Sequence, residues 1–548
     1  MNAQPRPRRG RSRTAARAAA AGLLIAISFS APARAAPLDG SLTQLAGGFG
    51  CFSDGGARGC SAGRALRGAA SVAVSPFGRD VYTAANASSS IAHFRREVGS
   101  GVLRERGCTS STRAVPCTPG RGLTGAFSVA LSPDGRNVYV AAYRGLAVFE
   151  RNPTTGALSQ PEGAGGCMSM DGLEGCARGR ALASASSVAV SPDGRNVYVA
   201  SVSSDAVAVF ARGARGSLTQ LAGADGCISD VAQEGCARAR ALGGAFSVAV
   251  SPDARHVYVA ALHSNAVAVL ERDRDSGALG QLPADDGCVS QGGSGGCSSG
   301  FGLSGPNGVS VSPDGRNVYA ASSGSGAIVA LARDPGLGTV QQLPGGSGCT
   351  SQGGTEGCAA GRALGGAYAI TTSLDGANAY AVSSTGVLAF RRASGTGALT
   401  QFADPATCTT QGGTEQCATG RALQEASSVA VAPDGRNAYV TAYQSNAVSV
   451  FARNPQRTRV RIRVRGVPRR CIRGTFRARI AVKSALPMRR IRLLLDRRSL
   501  GSREATRRIV VRIHGRRLRG GRHSLRVQAR DVGGNVARRR YRFRRCRS

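Results

Sequence analysis

Apolar and polar residues alternate along most of this chain in short bursts, and the bursts repeat. In SVAVSPDGRNVYVA (187–200) two apolar runs flank a Pro-Asp-Gly-Arg turn. Pro presets φ and Gly admits a positive φ, so the runs read as strands joined by a tight turn. The first run is apolar almost throughout, as a strand buried on both faces would be. A third run, such as AVAVF, follows a short polar loop. A fourth, such as ALTQL, follows a Thr-Gly or Ser-Gly turn. The turn proline recurs at Pro76, Pro133, Pro192, Pro252, Pro313 and Pro433, with Leu374 in a degenerate copy, so there are seven units of about 60 residues.

Four short strands per unit, repeated seven times, predict an all-β chain folded as a seven-bladed β-propeller over 41–454. The ends support closure. Ser41 to Leu45 reads as a fourth strand with no blade before it, and Ala447 to Phe451 as a third strand with no fourth after it. If the two ends share one blade, the ring closes and no sheet edge is left open between first and last blades.

The cysteines follow the same period. Cys51 pairs in spacing with Cys60, Cys108 with Cys117, Cys167 with Cys176, Cys227 with Cys236, Cys288 with Cys297, Cys349 with Cys358 and Cys408 with Cys417. Every pair is Cys-x8-Cys in a Gly- and Ser-rich insert between a fourth strand and the next first strand. Seven local disulfides are expected, on inserts that surround the mouth of the central channel. Zinc fits poorly, because the spacing is too long and no repeat supplies His partners.

The phrases YVAALHSNAVAV (258–269) and YVTAYQSNAVSV (439–450), together with SPDGRNVYV, resemble the YVTN type of propeller repeat and the lactonase-like seven-bladed family. The resemblance covers about 41–454. It implies a lactonase-type hydrolase as one function, but it carries no catalytic residue over, because the inner strands here hold no acid. Ring opening of a lactone needs a base for water and a donor for the developing oxyanion.

Charge is uneven. The formal net charge is +39, yet 457–548 alone carries 32 Arg and Lys483 against Asp496, Glu504 and Asp531. The propeller region is nearly neutral. Beyond 456 an Arg/apolar alternation (Arg457, Arg459, Arg461, Arg463, Arg465) predicts a strand with one apolar face. GRHSLRVQARDVGGN (521–535) resembles bacterial immunoglobulin-like domains, so a small immunoglobulin-like β-sandwich closed by Cys471 and Cys546 is expected over 457–548. Its field suits a polyanion, such as an anionic cell-wall polymer or glycan, with no specific nucleic acid implied. The competing reading is that the arginines only solvate the surface.

The first 35 residues read as a signal peptide: Arg6 to Arg13, an apolar run from Ala18 to Phe29, then Ala33-Arg34-Ala35. Export to an oxidising compartment, secreted or at the cell envelope, then accounts for the disulfides. No later segment is apolar enough to span a membrane.

Candidate site residues fall in two groups. Arg64, Arg121, Arg180, Arg240, Arg362 and Arg421 precede successive inner strands, with Phe301 in the fifth blade. They offer an anion-binding ring, or each pairs with an acid or carbonyl of its own blade. Asymmetry marks a second group: Pro306-Asn307, Tyr368 and Glu425 enter three consecutive inner strands. Glu425 is the sole carboxylate there and either acts as a base or is a solvated loop residue. The Asp of each Pro-Asp-Gly turn reads as turn capping. No metal-ligand spacing, phosphate loop or dinucleotide fingerprint is present, so no cofactor or metal is implied. Two functions stay open, an exported binding or scaffold propeller held to the envelope by its basic tail, and a lactonase-type hydrolase.

Overall fold

The computed structural model describes residues 40–546, except 113–115, 232, 403–407, 455–459, 469, 485–487, 497, 504–507 and 532–534. The expected signal peptide lies outside the described residues. Seven sheets follow one another around a ring, six of six strands and one of five. In the fourth blade the inner strand Ala245–Val250 pairs with His256–Ala261, which pairs with Ala266–Arg272. All three alternate apolar residues toward both neighbouring blades. The tyrosine of each second strand, from Tyr82 to Tyr439, is fully buried in all seven.

The ring closes as the chain ends require. Leu42–Gln44 pairs with Ala447–Arg453, placing Gln44 opposite Phe451. The Gly40 amide donates to the Asn454 carbonyl (2.6 Å). The last blade is therefore built from both ends of the repeat region.

The expected cysteine partners are bonded throughout. Cys51 joins Cys60, Cys108 joins Cys117, Cys167 joins Cys176 and Cys227 joins Cys236. Cys288 joins Cys297, Cys349 joins Cys358, Cys408 joins Cys417 and, in the tail, Cys471 joins Cys546.

The placement of these bonds differs from the expectation. The disulfide inserts do not surround the channel mouth; they build the outer rim. The third strand is long enough to hold two partners end to end. Leu279–Gln281 pairs with its C-terminal half and, after a 3₁₀ turn over Ala284–Gly287, Cys288–Gln291 pairs with its N-terminal half. The second cysteine of the insert, Cys297 here, then leads Ser298–Gly300, which adds outside in parallel. Cys60, Cys176, Cys236, Cys358 and Cys417 lead matching parallel strands in their own blades, and Cys117 leads the short strand Thr118–Pro119. An otherwise open outer edge draws the insert in, since unpaired backbone groups are costly. In the first blade the 3₁₀ turn is missing and Leu103–Ser110 runs unbroken through Cys108.

A clamp that sequence reading missed joins every blade to the next. The arginine ending each third strand reaches back to the preceding blade. Arg96 is typical. Its Nε donates to Tyr439 Oη (2.7 Å), one terminal nitrogen to the Gly78 carbonyl (2.8 Å), and the other to Asp434 (2.8 Å) and Asn437 Oδ1 (2.6 Å). Tyr439 in turn donates to the Gly101 carbonyl of the first blade (2.9 Å). The first blade has Phe77 where the turn aspartate stands elsewhere, and Asp80 replaces the usual asparagine, so Arg151 still meets a carboxylate. Burial raises the pKa of Asp80, but hydrogen bonds from His93, Arg151 and Arg95 and the Arg151 charge outweigh it and hold the carboxyl below its ordinary value. In the fourth blade His256 takes the asparagine position, and its Nδ1 accepts from Arg333 (2.8 Å). Burial, then the Arg333 charge, lowers its pKa, so the ring stays neutral.

The tail forms two sheets. Arg461–Arg465, Thr475–Lys483 and Arg508–His514 make one; Arg498–Arg503, Met488–Leu495, Gly521–Asp531 and Val536–Arg545 make the other. Ile480, Ile491, Ile513, Leu525, Val527 and Phe543 pack between them, and Arg461, Arg463, Arg465, Arg477 and Arg479 on the first sheet are exposed.

Candidate functional site

At the axis each inner strand contributes two consecutive residues, giving two stacked rings of seven. One ring is Ala70, Phe127, Ser186, Phe246, Asn307, Tyr368 and Ser427, and the next is Ser71, Ser128, Ser187, Ser247, Gly308, Ala369 and Ser428. The serine ring is a relay. Ser428 Oγ accepts from the Val72 amide (3.4 Å), Ser71 from Val129 (3.3 Å), Ser128 from Val188 (3.2 Å), Ser187 from Val248 (3.2 Å) and Ser247 from Val309 (3.3 Å). Gly308 and Ala369 break it, so the amides of Ile370 and Val429 have no serine acceptor. Close approach enforces the break, because a Cβ on Gly308 would lie 2.8 Å from both Ala369 Cα and the Tyr368 carbonyl oxygen.

The other ring carries the bulk and the polarity. Phe127, Phe246 and Tyr368 meet edge to face, with centroids 5.8 and 5.6 Å apart, and narrow the channel. Such contacts favour a fixed aromatic arrangement. Asn307, in the same ring as Phe246 and Tyr368, is 7% exposed, and its Oδ1 has no hydrogen-bond partner among the described residues. A buried amide oxygen left unpaired costs about 1–3 kcal/mol, so such a group marks a place where a donor from outside is favoured.

A cavity of about 440 Å³ opens above, lined by Phe127, Ser323, Tyr368, Ser384, Glu425 and Tyr443 among others. That size is within the usual range for small-molecule sites. Glu425 takes a left-handed conformation (φ 51°). Its amide donates to the Ser384 carbonyl and its own carbonyl accepts from the Tyr443 amide, both at 2.8 Å. Its Oε1 accepts from Gln444 Nε2 (2.6 Å). Burial, with Tyr443 and Glu425 close by, pushes the Tyr368 phenol well up, so it stays a neutral hydroxyl.

Tyr368 and Glu425 line this cavity, whereas Asn307 lines the channel beside Tyr368 and not the cavity. Phe127 and Phe246 were missed, although aligning the seven inner strands shows Phe where other blades have Ala or Ser. The arginines preceding the inner strands lie elsewhere, at the rim. Arg421 donates to the carbonyls of Gly47 (2.8 Å) and Gly59 (3.2 Å), Arg121 to Pro161 (2.8 Å) and Gly163 (2.9 Å), and Arg180 to Gly223 (2.7 Å) and Glu234 (2.9 Å). Arg240 meets the Ala284 carbonyl, and Arg362 that of Phe402 (3.4 Å). Each holds the insert of the blade it leads into. Arg64 leads into the blade lacking the 3₁₀ turn; it pairs with Glu105 (2.8 Å) and donates to the Pro116 carbonyl of that blade's insert (3.4 Å). The turn aspartates serve the scaffold too: Asp134 accepts from Ser132 Oγ (2.5 Å), the Arg136 amide (3.1 Å) and Arg212 (3.0 Å).

The family model described as lactonase, 7-bladed beta-propeller matches residues 166–292. No curated protein matches the chain. Among solved structures, a candidate 6-phosphogluconolactonase from Bacteroides uniformis is 19% identical with a TM-score of 0.44, over 66% of this chain and 88% of that one. The periplasmic gluconolactonase of Pseudomonas aeruginosa is 16% identical with a TM-score of 0.42, over 66% and 93%. A functionally unknown protein from Desulfotomaculum acetoxidans is 12% identical with a TM-score of 0.41, over 66% and 90%.

Proposed function

We propose that this lactonase-like seven-bladed propeller is an exported binding protein that takes a small, neutral, hydroxyl-bearing ring at the mouth of its channel. The carrying observation is the unpartnered Asn307 Oδ1 beside an aromatic wall. A ligand hydroxyl donates to Asn307, the ring lies against Phe127 and Tyr368, and the Tyr368 hydroxyl and the Ile370 and Val429 amides supply donors. Eight disulfides support an oxidising compartment. Among the described residues no helix is long and apolar enough to cross a membrane. The basic tail, with seven strands in two facing sheets that support an immunoglobulin-like reading, attaches the propeller to anionic envelope material.

A second reading, lactone hydrolysis, is favoured by the matched lactonase model and by Glu425 beside the cavity. Glu425 would take a proton from water, and the same donors would hold the oxyanion. One experiment separates the two. Sugars and sugar lactones are screened by thermal shift and followed for acid release. The binding reading expects stabilisation without turnover, lost in Asn307→Leu. Turnover abolished by Glu425→Gln would replace it with the hydrolase. No response from either group of compounds would leave the channel without the ligand class named here and refute both.

A further inference from the structure

The two sheets of the tail leave an open groove between the edge strands Arg461–Arg465 and Val536–Arg545. It encloses about 1460 Å³ and is lined by Arg461, Arg463, Lys483, Arg508, Arg538 and Arg539. No carboxylate lines it among the described residues. The neighbouring acid, Asp531, is fully buried and accepts from Ser484 Oγ (2.8 Å) and the Asn535 amide (2.9 Å). Between the cations the lining is aliphatic, from Ile462, Val482 and Ala537 among others, with no aromatic side chain among the described residues.

The strand register adds an independent observation. Arg461 stands directly opposite Lys483, Arg465 opposite Arg479 and Arg477 opposite Arg512. On the other sheet Arg526 faces Arg540 and Arg522 faces Arg544. Like charges directly opposed destabilise a sheet. Arg490 also faces Arg530, and of these six pairs Arg461 and Lys483 are the one that lines the groove, where counter-charge supplied from outside the chain relieves them. Residues on one face of a strand recur about every 6.8 Å, two rises of roughly 3.4 Å. Arg461 and Arg463 therefore present cations at an interval near that of phosphates joined through three carbons in an extended chain. Guanidinium groups bind phosphate through two parallel hydrogen bonds.

We propose that this groove binds a linear phosphodiester polymer of the glycerol-phosphate type, laid along the Arg461–Arg465 edge. The proposal rests on the envelope-attachment reading for its setting. Aromatic stacking platforms are how proteins commonly hold single-stranded nucleic acid, and the aliphatic lining favours a polymer without bases. The test uses the full chain and a synthetic poly(glycerol phosphate), with a DNA duplex and polygalacturonate as comparators. Arg538→Gln with Arg539→Gln on one wall, and Arg461→Gln with Arg463→Gln on the other, are measured against Arg516→Gln with Arg517→Gln, which removes equal charge outside the groove.

The proposal expects both groove variants to lose at least tenfold in affinity for the polymer and the control less than threefold. Two lost phosphate contacts should also flatten the salt dependence of log K by about 1.5. Polymer binding should raise the melting temperature of the unsubstituted chain. Equal losses in groove and control variants would overturn it, as would tighter binding of duplex DNA or polygalacturonate than of the polymer. Retention on isolated cell walls gives the separate readout. Polymer binding without wall retention ends the attachment reading and leaves the groove. Wall retention untouched by the groove variants ends the groove and leaves attachment.

Discussion

Replacing Arg96 by Met tests what holds the ring together. Arg96 is 2% exposed and joins the first blade to the last, and its partner Asp434 is 4% exposed. Met fills a similar volume but leaves the Asp434 carboxylate buried beside Tyr439 without its cation. Breaking a buried pair by removing one member costs about 3–5 kcal/mol. Unfolding entropy near 2.1 cal/mol/K per residue, over a ring of about 415 residues, is roughly 0.9 kcal/mol/K. Arg96→Met should therefore lower the melting temperature by about 3–6 °C in calorimetry. Adding Asp434→Asn should recover part of the loss, with a coupling of about 1–3 kcal/mol. Arg64→Met is the control, since Arg64 is 49% exposed and its direct pair with Glu105 lies at the surface. Its loss should stay within about 1 kcal/mol. Equal losses for the two single variants, or no coupling in the double, would refute the clamp as the source of ring stability.

Burial pushes the Tyr139, Tyr258, Tyr319 and Tyr380 phenols up to about 12. Unfolded chains ionise them near 10, so their contribution is complete below pH 10 and is lost as pH rises through 12. The difference in spectrophotometric titration between the chain and its Tyr139→Phe variant should show no phenol ionising until pH is well above 10, and a difference near 10 in a folded chain would refute it. Asp80 runs the other way, contributing stability above about pH 4 that is lost as pH falls through its depressed folded value, which acid denaturation monitored by circular dichroism checks. Replacing Cys288 and Cys297 by Ser should cost roughly 2–3 kcal/mol, and replacing Cys471 and Cys546, separated by 75 residues, about 4–5 kcal/mol. Denaturant midpoints in the reverse order would contradict the loop-entropy account. Gly308→Ala should cost about 1–3 kcal/mol through backbone overlap, while Gly365→Ala, with nothing within 4 Å of its Cβ, should be near neutral by the same measurement.

The blade count, the order of the first four strands of each unit, the shared closing blade and all eight disulfides were legible in the chain itself, while the two cysteine-flanked strands that most blades add at the rim were not. The blade features rest on contacts between near neighbours or on exact repetition, which a period of about 60 residues announces, and Cys471 and Cys546 are the two cysteines of the 457–548 segment. The pairing Cys288–Cys297 spans 9 residues, and the turn at Pro252 closes within four. What repetition could not disclose is which of two repeated arginines does which work. Arg180 and Arg212 recur with the same period; one is bound to insert carbonyls at the rim, and the other to Tyr139 and Asp134 of the preceding blade, over 70 residues away in sequence.

The position of the inserts was decided by tertiary structure for a related reason. Each third strand has an outer edge to fill, and backbone pairing on that edge draws the cysteine strands to the rim. Asymmetry marked Asn307 and Tyr368 in the sequence, but their meeting with Phe127 and Phe246 emerges only when seven inner strands converge. Asn307, Tyr368, Phe127 and Phe246 stand as far as 241 positions apart in the chain and meet because a closed ring points the same strand position of every blade at one axis. Local pattern thus determined the units and their number. The closing of the ring decided which side chains face one another, since that depends on the distance of each residue from the axis, a quantity that no single repeat contains.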